Sequence, residues 1–292
     1  MKIKNSGLLP TPYDERDLTL GAITELPKLT ELPSNFILDG IEIKNQGKTD
    51  FCTQFAACGM SELQEGVSLS PEWCFAKTKE LNGGVDSYGQ DLRQALDTHR
   101  KIGAVEAKDV PYSVATKDKD FLRRIENYPR ELAMGAIQHM KQSYLKVTGP
   151  YDAFDNIRAT VWKYRAEKRG VAMGCIFGWD TDDVILDTVP TSGGGHAMYY
   201  AGWKTIKGEE YLVLVNSYGK NAGENGIHYV SRDVVNHFEA QYGAYMFSDL
   251  TPEQVRYMIE NGITDRDNWI IQLYKSIITL LQQLLLLKKK QK

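Results

Sequence analysis

The sequence predicts a mixed α+β chain of two lobes, and three observations predict it. From Cys52 to Gly103, apolar residues recur at helical spacing between capping residues and glycine stops. After Gly170 the texture changes to short apolar runs of strand length, VAMGCIFG, HAMYYAGW and EYLVLVN. Thr251-Pro252-Glu253-Gln254 then opens a third region with a capped helix start. A helical front half set against a β-rich back half leaves a cleft between them, and clefts hold sites.

The elements follow in order. Residues 1–35 are punctuated by Pro10, Pro12, Pro27 and Pro33 and have no helical period, so they predict an extended lead. Regular structure is expected from about Phe36. Phe55, Gly59 and Leu63, with Met60 beside them, form a stripe that predicts a buried helix from Cys52 to about Glu65. Ser70-Pro71-Glu72 starts a second helix, with serine as cap and proline in the first turn. Residues 82–90 read as a loop, and 90–102 as a third helix stopped by Gly103. Helices are expected at 129–141 and 153–168, and strands at 171–178, 196–203, 210–216, 226–230 and 243–248.

The 292 residues are 42% hydrophobic, enough for a real core. A formal charge of -3 gives no bulk attraction to nucleic acid, which is excluded as an expected partner. The start, MKIKNSGLLPTPYDERD, has no apolar run of signal-peptide length. A cytoplasmic or particle-associated location is therefore expected, with the cysteines reduced. Cys58 and Cys175 sit in apolar company and read as buried thiols. No CxxC or HxxxH pair occurs, so no metal is expected. No Walker motif occurs either, and no cofactor is expected: the glycines at 193–195 lack the lysine and helix of a phosphate loop.

Cys52 leads its predicted helix, where the positive end of the helix dipole favours a thiolate. Among five histidines, His196 follows the glycine run TSGGGH and opens an apolar strand, which gives it room to meet substrate or chain. His99 and His139 fall on helices and read as surface or packing residues, and His228 lies within a strand. Asn216 ends the strand YLVLVN and can orient an imidazole without adding charge. Gln46 and the Cys52 backbone N–H can donate to a developing oxyanion. A buried thiol and a glycine-flanked histidine with no common task remain the plain alternative at this point.

Together these stretches resemble the papain family of cysteine peptidases. The resemblance rests on Gln46-Gly47, on Cys52 with Phe55 three residues later, and on His196-Ala197. Asn216-Ser217-Tyr218-Gly219 followed by Gly223-Glu224-Asn225-Gly226 completes it. It implies a papain-like fold with a helical left lobe and an antiparallel β-barrel-like right lobe, residues 33–249 being the peptidase domain. It implies thiol-dependent hydrolysis of peptide bonds through an acyl-enzyme: Cys52 as nucleophile, His196 as proton shuttle, Asn216 as its orienting group, and Gln46 in the oxyanion hole. An endopeptidase able to process its own N-terminus is expected. The alternative is a weak or inactive papain-fold protein used for binding or structure. Peptide backbone is expected on a left-wall glycine, Gly89 in preference to Gly84. A small-residue pocket is expected at Ala172, Gly195 and Ala197, floored by the 240–246 region.

The chain departs from the family around the nucleophile, with Thr49-Asp50-Phe51-Cys52-Thr53 in place of Cys-Gly-Ser-Cys-Trp. A disulfide through position 49 cannot form, and Asp50 opposes a thiolate. Residues 1–32 are either a short propeptide-like segment across the cleft or a strap on the backs of the lobes. Residues 250–292 are expected to form a helical tail. Its stretch 268–287 has two overlapping apolar seams that suit a homo-oligomer or attachment to a membrane surface or particle.

Overall fold

The computed structural model describes residues 7–12, 14–82, 89–113, 128–129 and 131–264. The tail at 268–287 and Gly84 lie outside the described residues.

The helical lobe is built first along the chain. Helix α1 (Cys52–Glu65) is buried from Cys52 to Leu63 and stops at Gly66 in the left-handed conformation, φ 68°. Helix α2 (Pro71–Leu81) has the predicted cap: the Ser70 side chain accepts from the Trp73 N–H. Helix α3 (Leu92–Lys101) starts in a reciprocal capping box of Asp91 and Gln94. Helix α4 (Leu132–Ala136) is shorter than expected and tightens into a 3-10 turn at Ile137–His139.

The second lobe is one sheet. Its strands are β1 (Phe36–Ile37), β2 (Ser143–Lys146), β3 (Val171–Phe177), β4 (Ile185–Leu186), β5 (Gly194–Ile206), β6 (Glu209–Val215), β7 (Ile227–Val230) and β8 (Ala244–Ser248). Helices α5 (Ala153–Lys163) and α6 (Arg232–Tyr242) pack on it, and α7 (Pro252–Glu260) follows β8. Strand β5, at 13 residues, is the spine: it pairs with β3 along its first half and with β6 along its second, across a register shift at Tyr200/Gly202.

The barrel-like closure expected from the resemblance is not present among the described strands. The order is β2-β8-β3-β5-β6-β7-β4, an open sheet with β1 added beside β5. Closure would require β2 to pair with β4. β4 is only two residues long and runs parallel to β7. The outer edge of β2 is already engaged, since Lys146 N–H donates to Leu18 C=O at 2.8 Å. The lead segment therefore covers the edge that a barrel would have closed.

Trp203 ties the start of the domain to the spine. It is wholly buried, its indole N–H donates to Pro33 C=O at 3.0 Å, and its ring meets Phe36 at 5.5 Å and Trp162 at 6.2 Å. Trp203→Ala is expected to destabilise the fold by ~3–5 kcal/mol, read from urea unfolding; a loss below about 1 kcal/mol would remove this residue from the core account.

Candidate active site

Helix α1 lies against β5, and this brings the first turn of one lobe to the spine of the other. Cys52 is fully buried there. Its sulfur accepts a hydrogen bond from the Ala197 backbone N–H, the residue next to His196, and from the amides of its own helix start. Burial pushes the thiol up to about 12, and the Asp50 charge pushes the same way against those amides.

His196 sits on β5 opposite Cys175 of β3. Its Nε2 is 2.9 Å from Asn216 Oδ1. The direction of that bond is fixed by a backbone donor, because Ser217 N–H also donates to Asn216 Oδ1, at 2.7 Å. Oδ1 is thus the acceptor, and Nε2–H donates. The Asn216 Nδ2 then donates to His228 Nε2 at 2.9 Å, and His228 Nδ1–H donates to Asp183 C=O at 2.6 Å. One chain of bonds therefore sets both tautomers. It leaves His196 Nδ1 buried and without a hydrogen-bond partner. Tyr218 stacks on the His196 ring at 4.4 Å and 13°, and Phe177 meets its edge at 5.5 Å.

Gln46 is buried beside this chain. Its Oε1 accepts from Ser217 Oγ at 2.6 Å, and its Nε2 donates to Thr49 C=O at 2.7 Å. That leaves one amide hydrogen for another acceptor. Thr53, where the family has a bulky aromatic, donates to Gln90 Oε1 at 3.2 Å. Gln54 Nε2 donates to the same oxygen at 2.8 Å. The two side chains hold the left wall of the cleft at Gly89-Gln90.

The cleft is occupied by the chain's own lead. Gln90 N–H donates to Gly7 C=O at 2.8 Å, Leu9 N–H to Gln90 C=O at 3.0 Å, and Leu8 N–H to Gly195 C=O at 3.1 Å. Residues 7–9 thus bridge the two walls, parallel to the strand at Gln90. Glycine is required at the contacts: a Cβ on Gly89 would lie 2.5 Å from Gly7 O, and one on Gly195 would lie 2.3 Å from Leu8 O. The Leu8 side chain is buried against Gly174 and Tyr242. Gly195, Tyr242 and Gly174, the last not named by the sequence reading, surround Leu8. Ala172 is buried opposite Tyr199 and Tyr245, and Ala197 opposite Gly174.

Sequence reasoning missed His228. Its signal was a lone histidine two residues after the GENG turn on an otherwise apolar strand. Such a position needs a polar partner, and the sequence does not say which.

Residues 40–247 match the papain family cysteine protease profile, and the chain belongs to that family. A cysteine protease of Blomia tropicalis is 25% identical over 215 residues, covering 65% of this chain and 57% of that protein. A viral cathepsin of Spodoptera litura multicapsid nucleopolyhedrovirus is 25% identical over 197 residues, covering 66% and 54%. The chain thus spans about half the length of these curated relatives. Xylellain, a cysteine protease from Xylella fastidiosa, superposes with a TM-score of 0.65 at 17% identity, over 86% of this chain and 99% of that one. That likeness is one of fold.

Burial holds His196 down to about 4 from 6.5, and lowers His228 as well. Between those two pH values the unfolded chain binds the additional proton, so this contribution to stability is complete above pH 6.5 and is lost as pH falls toward 4. The urea midpoint is expected to fall across that window, and to fall less in a His196→Gln/His228→Gln chain. A midpoint independent of pH there would contradict the neutral pair.

Proposed function

We propose that the chain hydrolyses peptide bonds by thiol acyl transfer in this cleft, as an endopeptidase. The observation that supports it most is the paired geometry at β5. Asn216 holds Nε2–H of His196 and leaves Nδ1 open, while the Cys52 sulfur lies on the amide of the next residue. Cys52 Sγ attacks the scissile carbonyl carbon as His196 Nδ1 takes the thiol proton. The oxyanion is met by the free hydrogen of Gln46 Nε2 and by the Cys52 N–H. His196 passes its proton to the leaving amine, and the carbon–nitrogen bond breaks to leave a thioester. Water, deprotonated by the same Nδ1, cleaves the thioester and restores the thiol.

Cys58, also near a histidine, does not suit this role. It is one and a half turns inside α1, within the helical core. A thiol-directed epoxide is expected to label Cys52 alone, with labelling lost in Cys52→Ala and reduced by at least about a hundredfold in His196→Ala, read by peptide mass spectrometry. Equal labelling of Cys58 would defeat the assignment.

In this reading the described state is a resting one, with residues 7–9 across the cleft. Leu8→Asp puts a charge into a buried pocket and is expected to speed epoxide labelling of Cys52 by roughly tenfold or more. Labelling at the unaltered rate would mean that the segment does not guard the thiol.

A further inference from the structure

The helical lobe contains a second sulfur–imidazole cluster, apart from the cleft. Helix α1 supplies Cys58, α2 supplies Cys74 and α3 supplies His99, and all three are wholly buried. The sulfurs are 3.8 Å apart, Cys58 Sγ is 3.9 Å from His99 Nε2, and the three donor atoms all lie within 4.8 Å of one another. We propose that Cys58, Cys74 and His99 form a binding site for a thiophilic closed-shell cation, zinc or cuprous copper, that clamps the three helices of this lobe together.

Four features support it. A cation at the centre of a triangle with those sides lies about 2.2–2.5 Å from each corner, against about 2.3 Å for a zinc–thiolate and about 2.0 Å for a zinc–imidazole bond. At most a few tenths of an ångström of movement brings the donors to it. His99 also presents the correct nitrogen: its Nδ1 is 3.4 Å from Ser61 Oγ, and that partner leaves the Nε2 lone pair for the sulfurs. Metal-bound imidazoles are held in this way by a partner on their other nitrogen. The surroundings are apolar, with Leu69, Trp73, Ala104, Val105, Val110 and Ala136 packed around the cluster. Two thiolates and one imidazole in an apolar shell select zinc or cuprous copper over harder cations. Finally, the two sulfurs are already joined, Cys58 S–H donating to Cys74 Sγ.

Charge and protons balance. Loading releases the protons of Cys58 and Cys74 to solvent, no electron moves, and two thiolates offset a zinc ion. The nearby charges, Lys44 and Glu62, are paired with each other. The clamp would supply a cross-link where this lobe has none: all four cysteines are free, and the family disulfide position is Thr49. Sequence spacing hid the site because its ligands come from three helices and meet only through packing.

The test uses the full chain with Cys52→Ala, so that the cleft thiol cannot compete. Titration under reducing conditions with cobalt(II), as a probe for zinc, is expected to give one equivalent of tight binding with thiolate-to-cobalt charge-transfer absorption. Competition with zinc, and separately with cuprous ion held by a chelator, identifies which cation the site prefers. Added Cys58→Ser or Cys74→Ser is expected to weaken zinc binding by at least about tenfold, and to reduce the charge-transfer band. X-ray absorption of the zinc-loaded chain, which needs no core variant to fold, should show two sulfur ligands and one nitrogen. No binding by either cation, a shell without sulfur, or a Cys58–Cys74 disulfide in the freshly reduced and equilibrated protein would overturn the proposal.

Discussion

The structure depends on the close approach of α1 to β5. Gly59 sits at the contact, and a Cβ there would lie 2.5 Å from the Tyr199 ring. No side chain fits, so the helix backbone settles directly on the strand. That approach brings the first turn of one lobe against the spine of the other and puts the Cys52 sulfur on the Ala197 amide. It also brings Thr53 and Gln54 within reach of Gln90, so Cys52 and the Gly89-Gln90 segment share one anchor. The sequence departs from its family at position 53, and the threonine hydroxyl there donates to Gln90 Oε1.

On the strand side, the organising element is the chain of bonds from His196 through Asn216 and His228 to Asp183. His196, Asn216 and His228 are buried, and a buried polar group left unpaired costs about 1–3 kcal/mol. Reversing the Asn216 amide would set its NH2 against Ser217 N–H and His196 Nε2–H at once, so only one orientation survives. Orientation of the imidazole is thereby over-determined, by a backbone donor on one side and a neutral histidine on the other. Tyr218 completes it by stacking on the ring face.

What the sequence made legible was whatever its local signals decide. The helix at Cys52–Glu65, the Ser70 cap and the strands after Gly170 follow from period and capping, and they appear where expected. The pairing of His196 with Asn216 and the place of Cys52 at the start of α1 were legible because the order of short motifs suggests them. Strand β2 and helix α6 were missed: Ser143–Lys146 is too short to show a period, and the segment at 232–242 is interrupted by polar residues on its exposed side. The open sheet was misread because closure is a property of edge strands, and β4 is two residues long with no signal of its own. His228, the Leu8 contacts and the Cys58–Cys74–His99 cluster share one cause. Each depends on which distant elements meet, which no single window of sequence contains.

The covered cleft has a consequence for charge as well as access. With residues 7–9 in place, burial pushes the thiol up to about 12 and the imidazole down to about 4, so both favour a proton resting on sulfur. Burial is the leading cause on both residues, and it acts on them in opposite directions. Water admitted to the cleft would weaken both effects together, drawing the two values toward each other. The helix start and the neighbouring imidazolium would then favour the thiolate, with Asp50 as the opposing charge. A segment that lifts away would thus expose the sulfur and also make the proton transfer to His196 less costly. On the proposed reading, occupancy of the cleft by Gly7–Leu9 switches the chemistry as well as blocking the substrate. The glycines at 89 and 195 permit that occupancy, because a Cβ at either would collide with the Gly7 or Leu8 carbonyl oxygen.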